Sequence, residues 1–170
     1  MPRPAGDPTN NIKWITIGDI NGDGAQDFAY VSASGAIANR IVIYNNTYGM
    51  TPVIYKDYGA TVVRKIMLRD MNGDDKADMI ILAGAKIYVH DLSKWGTALP
   101  VQIATIPDPD TTSGVTDFDV ADTNMDGRPD ILTVGTGAVA SMNGVWVNNY
   151  TSNPSPGLKS LDAALANWIP

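Results

Sequence analysis

Carboxylates and a side-chain amide recur together in three short stretches: Gly18-Asp-Ile-Asn-Gly-Asp-Gly-Ala-Gln-Asp27, Arg69-Asp-Met-Asn-Gly-Asp-Asp-Lys-Ala-Asp78 and Ala121-Asp-Thr-Asn-Met-Asp-Gly-Arg-Pro-Asp130. The shared pattern is Asp-x-Asn-x-Asp-(Gly/Asp)-x-x-Asp. It begins at Asp19, Asp70 and Asp122, spaced 51 and 52 residues apart. Oxygen donors at alternate positions of a tight loop suit a hard divalent cation. Ca²⁺ takes roughly six to eight oxygens, many of them carboxylate, in a flexible shell. In the first loop Asp19, Asn21 and Asp23 offer side-chain oxygens, Ala25 its backbone carbonyl, and Asp27 closes the set. The second loop offers Asp70, Asn72, Asp74, the Lys76 carbonyl and Asp78. The third offers Asp122, Asn124, Asp126, the Arg128 carbonyl and Asp130. Three carboxylates in so short a loop repel one another unless a cation sits among them. The sequence therefore predicts three calcium sites.

The loops need a sharp turn after their third donor. Gly24 and Gly127 stand there, and glycine accepts a positive φ without steric cost. Asp75 occupies that place in the second loop. A non-glycine residue pays for the left-handed conformation, so this site is expected to be the weakest. An EF-hand is excluded, because its loop requires Glu at position 12 between two helices. Position 12 here is Tyr30, Ile81 or Thr133, each inside an apolar stretch.

The segments that must hold these loops repeat with them. Ile15 and Ile17, Ile66 and Leu68, and Phe118 and Val120 precede the three first Asp residues at alternate positions. That period of two marks a half-buried strand. Apolar runs follow each last Asp, at Phe28–Val31, Met79–Leu82 and Ile131–Val134, and read as more deeply buried strands. A third strand follows a small-residue turn, at Arg40–Tyr44, Lys86–His90 and Gly144–Asn148. A fourth is expected at Pro52–Lys56 and Val101–Ile106. Four strands in about fifty residues is the size of a propeller blade. The expected layout is a loose segment at 1–11, three units over 12–150 (about 12–60, 61–112 and 113–150), and a tail at 151–170. In the tail, Ser155-Pro156 could start a short helix from Gly157 to Trp168, with Leu158, Leu161, Leu165 and Trp168 on one face.

Composition agrees with strands and turns. All 18 acidic residues of this 170-residue chain are Asp, and Glu, a better helix former, is absent. The net charge of −6 argues against a nucleic-acid partner, which would need a basic surface. Three Ca²⁺ would bring that charge to about zero. There is no Cys, hence no disulfide, thiolate metal site or Cys nucleophile. No apolar run reaches the ~18–20 residues of a membrane span. The first residues, Met-Pro-Arg-Pro-Ala-Gly-Asp-Pro, have no apolar core of a signal peptide, so an export signal is expected outside this sequence.

The strand ending in Gly-Asp-Ile-Asn-Gly-Asp-Gly, then Asp-Phe-Ala-Tyr-Val, a turn and Ile-Val-Ile-Tyr-Asn-Asn, resembles the FG-GAP/VCBS repeat. The likeness covers roughly residues 12–150 in three units. It implies an all-β fold of four-stranded, calcium-stabilised propeller blades, with the ion between the first two strands of each. It also implies an extracellular or cell-surface setting and a part in adhesion or carbohydrate recognition. The Phe-Gly and Gly-Ala-Pro signatures of the integrin subtype are missing, so the looser VCBS subtype is the nearer likeness. Propellers of this family usually have about seven blades, and three do not close a ring. A longer chain, or association of copies, is expected to cover the end blades.

No catalytic constellation is present. His90 is the sole histidine, and no Gly-x-Ser-x-Gly elbow or phosphate loop occurs. Asp57, Asp91, Asp108, Asp110, Asp117 and Asp119 have no spacing that singles out a pair for glycoside hydrolysis. Trp14, Trp95, Trp146 and Trp168 could stack on sugars, and Asn45-Asn-Thr47 and Asn149-Tyr-Thr151 are glycosylation sequons. The expected function is a non-catalytic, calcium-stabilised module for adhesion, assembly or glycan binding, with protein or glycan as partner. The alternative is an accessory domain of a secreted carbohydrate-active enzyme.

Overall fold

The apolar positions recur every second residue, and the chain answers with strands. A computed structural model describes residues 11–33, 38–46, 51–94, 101–106, 114–136, 144–147 and 159–160. The first unit contains β1 (Ile12–Gly18), β2 (Asp27–Ser32), β3 (Arg40–Asn45) and β4 (Thr51–Asp57). The second contains β5 (Val63–Arg69), β6 (Asp78–Ala83), β7 (Lys86–Asp91) and β8 (Val101–Ile106). The third contains β9 (Gly114–Ala121), β10 (Asp130–Thr136), β11 (Gly144–Val147) and β12 (Lys159–Ser160). Each unit is a separate four-stranded antiparallel meander, its strands paired in chain order. The eleven strands anticipated by the pattern all form, and no helix occurs among the described residues.

The tail departs from expectation where it is described. Lys159 and Ser160, assigned to the start of a helix, instead pair with Val147 and Trp146 as β12. The free edge of β11 offers unpaired backbone N–H and C=O groups, and an extended segment satisfies them where a helix would not. The rest of the expected helix, residues 157–158 and 161–168, lies outside the described residues.

Alternation along each strand sends one set of side chains to each face of its sheet. Ala29, Val31, Ile41 and Ile43 of the first sheet meet Ile66, Leu68, Met79, Ile81 and Ala83 of the second in one buried cluster. The opposite face of the second sheet supplies Ile80, Leu82, Ile87 and Val89, which meet Val115, Phe118 and Ile131 of the third. Burying each Ile or Leu of this kind is favourable by roughly 1.5–3 kcal/mol. β6, the strand after the second acidic loop, is thus apolar on both faces, because a sheet covers each.

The loops themselves plug these junctions. Their second residues, Ile20 and Met71, are buried in the clusters between the first and second and the second and third sheets. The corresponding Thr123 is exposed. Gly18 permits a close approach between the first two sheets: a Cβ there would stand 2.7 Å from Leu68 Cβ and 2.9 Å from Ala77 Cβ. Just beyond it, Ala77 N–H donates to the Asp19 carbonyl at 2.6 Å, tying the first loop to the end of the second.

Equivalent residues bridge successive sheets. Trp14 Nε1 donates to the Ile66 carbonyl at 2.7 Å. Lys65, which corresponds to Trp14, donates through Nζ to the Phe118 carbonyl and pairs with Asp117 at 2.9 Å. The Lys65 ammonium also lies over the Trp14 and Phe118 rings. At the open side of the first sheet, Ile15 and Ile17 are each 59% exposed, whereas their counterparts Ile66 and Leu68 are buried.

Candidate metal centres

Each acidic loop joins the first two strands of its sheet. Its shape is set by carboxylates that fold back onto the loop's own amides. In the first loop Asp19 Oδ1 accepts from Gly22 N at 2.7 Å and Asp23 N at 3.2 Å, while Oδ2 accepts from Gly24 N at 2.7 Å. Asn21 Oδ1 accepts from Asp23 N at 3.0 Å, and Asp23 Oδ1 from Ala25 N at 2.8 Å. The second loop repeats the scheme. Asp70 Oδ1 accepts from Gly73 N at 2.7 Å and Oδ2 from Asp75 N at 2.9 Å, Asn72 accepts from Asp74 N, and Asp74 from Lys76 N. In the third loop Asp122 accepts from Asp126 N and Gly127 N, Asn124 from Asp126 N, and Asp126 from Arg128 N. The first, third and fifth positions therefore turn their oxygens inward in all three copies. Such nests of side-chain-to-backbone bonds preorganise a loop.

The last Asp of each loop lies at the floor. Asp27, Asp78 and Asp130 are 1%, 0% and 0% exposed. Each accepts, through Oδ2, the N–H of the loop's second residue: Ile20 at 3.0 Å, Met71 at 2.9 Å and Thr123 at 3.0 Å. Asp27 uses its other oxygen as well, accepting from Asn46 N at 2.6 Å. Asp78 Oδ1 is buried without a hydrogen-bond partner. An orphaned carboxylate oxygen in the interior is costly, and the cost is relieved by protonation or by a cation. Burial, joined by the neighbouring Asp91, Asp74 and Asp70 carboxylates, pushes the Asp78 carboxyl up to about 8. Burial likewise raises Asp74, with Asp70 and Asp91 adding to the effect and Lys76 opposing it.

Backbone strain is distributed differently from the expectation drawn from glycine alone. The sixth position is left-handed in every copy: Gly24, Asp75 and Gly127 have φ of 83°, 63° and 85°. The fourth position is left-handed too, with Gly22 at 76°, Gly73 at 77° and Met125 at 59°. Met125 is 90% exposed and makes no compensating burial. The second and third loops thus carry one strained residue each, and the first carries none. The sequence held this signal in the paired glycines of the first loop, whose earlier member was not assigned a turn role.

The proposed donors fit a hard cation by chemistry: carboxylate, amide and carbonyl oxygens, with a floor carboxylate short of a partner. Their side chains are not drawn into a ready cage, however. Among the described residues no three Asp or His side chains converge closely enough to enclose a metal. Carboxylate oxygens that accept one N–H keep a second lone pair for coordination.

Asp91 was not singled out by sequence spacing, yet its charge acts on both Asp74 and Asp78. The signal that finds it is strand register, which brings the start of β6 beside the end of β7. Other candidates resolve into structural roles. His90 is buried, with its Nδ1 facing the Tyr55 hydroxyl and the Tyr88 ring edge-on, at the junction of the first two sheets. Asp57 pairs with Arg40 at 2.7 Å and Asp117 with Lys65, so neither stands ready as an acid or base. Trp14 is half-buried at the first junction, and Asn45, the acceptor of its sequon, is buried at the end of β3, while Thr47 lies outside the described residues. Trp95, Trp168, Asp108, Asp110 and the Asn149 sequon lie outside the described residues.

Residues 70–133 match the family model of the FG-GAP-like repeat. The match runs from the first Asp of the second loop, through β6–β9 and the third loop, into β10. The first sheet and its loop lie outside it and share its strand order and loop hydrogen bonds. No curated protein matches the chain.

Proposed function

We propose that this chain is a calcium-binding, non-catalytic module of propeller-type blades from a secreted or cell-surface protein. The observation that carries the reading is Asp78: a fully buried carboxylate with one oxygen unpartnered, at the floor of a loop whose Asp70 and Asp74 carboxylates bear on its charge. Such a group calls for a cation. The same fold of Asp19, Asn21, Asp23 and Asp27, and of Asp122, Asn124, Asp126 and Asp130, extends the reading to three sites. When bound, calcium would supply charge neutralisation and cross-link each loop's two strands. All donors come from one loop and point at its own backbone, which favours a structural over a catalytic role. Extracellular calcium, at concentrations suited to sites of modest affinity, fits the setting. The repeated sheets then present surfaces for adhesion, assembly or glycan binding, and further blades or copies cover exposed residues such as Ile15 and Ile17.

The test is thermal unfolding in EDTA and with calcium restored. A calcium-dependent rise in Tm that disappears in an Asp19/Asp70/Asp122→Ala triple variant supports the reading. The same Tm with and without calcium, in a protein shown by calorimetry to bind none, overturns it.

A further inference from the structure

The three loops are alike in sequence, but the sheets place different residues beside their floors. In an antiparallel pair, residues directly opposite carry their side chains on the same face, a few ångströms apart. In the second sheet, β6 and β7 pair Met79 with His90, which sets Asp78 opposite Asp91. In the first sheet, Phe28 pairs with Tyr44, which sets Asp27 opposite Asn45. In the third, Ile131 pairs with Trp146, which sets Asp130 opposite Val147. A carboxylate therefore faces the floor carboxylate in the second sheet alone.

Like charges directly opposite on a sheet are destabilising. Nothing among the described residues neutralises this pair. Lys76, the cationic side chain in the loop, donates to the Ser93 carbonyl at 3.4 Å, and the Arg40–Asp57 and Lys65–Asp117 ion pairs involve neither Asp78 nor Asp91. The chain after β7 withdraws a further partner. In the first sheet Asn46, just past β3, gives its N–H to the floor Asp27. In the second sheet the corresponding residue, Leu92, is turned into the core, and the next N–H, of Ser93, goes to Asp91 Oδ1 at 2.7 Å. Asp78 Oδ1 is left buried and unpartnered.

We propose that Asp91, from the end of β7, is a cation ligand outside the loop, and that with Asp78 it makes the second site the tightest of the three. This inference rests on the calcium reading above. It reverses the ranking expected from Asp75, whose strained turn is matched by Met125 in the third loop. The second cation would join the β6–β7 pair as well as the β5–β6 loop, whereas the other two would join only their loops' flanking strands. With Asp91 added to Asp78, the second site would carry more ligand charge than its two counterparts, and affinity in oxygen sites rises with the number of ligand charges.

The experiment uses the full chain and Ca²⁺ alone as probe. Asp19→Ala with Asp122→Ala leaves the second loop as the single intact site, and its affinity is read by calorimetry with and without Asp91→Asn. Asn keeps the acceptor for Ser93 N–H, so the turn survives and only the charge is lost. Loss of affinity on the order of tenfold or more, restored by Asp91→Glu, supports the proposal. The same Asp91→Asn change in a chain retaining only the first loop (Asp70→Ala with Asp122→Ala) leaves affinity unchanged if the effect is local. Equal affinity with and without Asp91→Asn, while Asp70→Ala abolishes binding at that loop, overturns the proposal and leaves the calcium reading intact. Absence of calcium binding to any loop of the wild-type chain refutes the calcium reading itself. Terbium luminescence provides a check independent of stability: fewer bound waters at the second site than at the first is expected, and equal hydration counts against Asp91.

Discussion

Replacing Asp78 by Asn tests the electrostatics of the second loop in both directions. The carboxyl is raised from 3.8 to about 8, first by burial and then by Asp91, Asp74 and Asp70. An acid whose folded pKa is raised favours folding when protonated. Its contribution is complete below about pH 4 and is lost as pH climbs through about 8. In calcium-free solution the wild-type protein should therefore weaken steadily over that window. At pH 7 the gap above 3.8 is about three units, which at 1.36 kcal/mol per unit sets a ceiling of about 4 kcal/mol. Water entry and relaxation reduce it, and an Asn amide without an acceptor takes back about 1–3 kcal/mol. A net gain of about 1–2 kcal/mol for Asp78→Asn is expected in EDTA at pH 7, vanishing by pH 4. With calcium present the order reverses. Wild type gains about 2.7 kcal/mol at a hundredfold excess over Kd, and the variant, short of a floor ligand, gains less. Urea unfolding at pH 4, 7 and 8, with EDTA and with calcium, reads all of this. An Asn variant less stable than wild type in EDTA at pH 7 to 8 would show that Asp78 carries no electrostatic burden, and the argument for a cation there would fall with it.

Two further predictions concern the backbone. Met125→Gly should raise stability by about 0.5–1 kcal/mol, because a bare, exposed side chain is removed from a left-handed residue; chemical unfolding checks it, and a loss would show that the turn is not strained. Gly18→Val should destabilise by about 2 kcal/mol or more, since its Cβ would stand 2.7 Å from that of Leu68 and 2.9 Å from that of Ala77. Gly144→Ala, with open space around its Cβ, is the control in the same unfolding assay and should cost far less.

Much of this was legible in the residues because it is local. Period-two alternation at Ile15/Ile17, Ile66/Leu68 and Phe118/Val120 specifies strands wherever they end up. The apolar runs after Asp27, Asp78 and Asp130 marked more deeply buried strands, and the run after Asp78 is covered on both faces. The hydrogen bonds of Asp19, Asp70 and Asp122 to amides three to five residues on are short-range, so their Asp-x-Asn-x-Asp spacing carried them. The tail misled because Leu158, Leu161, Leu165 and Trp168 suit a helix by spacing, while the pull on Lys159 and Ser160 came from an unpaired strand edge remote in sequence.

By itself, then, the sequence determined three repeats, their strands, and the spacing of oxygen donors in each loop. Only the tertiary structure decided that the loops are unequal. Whether Asp91, Asn45 or Val147 stands opposite the floor Asp in register depends on the pairing of strands joined by other turns. Whether Lys65 reaches Asp117 depends on how two sheets stack. Electrostatic energy falls with distance through space and takes no account of separation along the chain, so Asp91, 13 residues beyond Asp78, bears on the charge of a loop whose own carboxylates lie within nine.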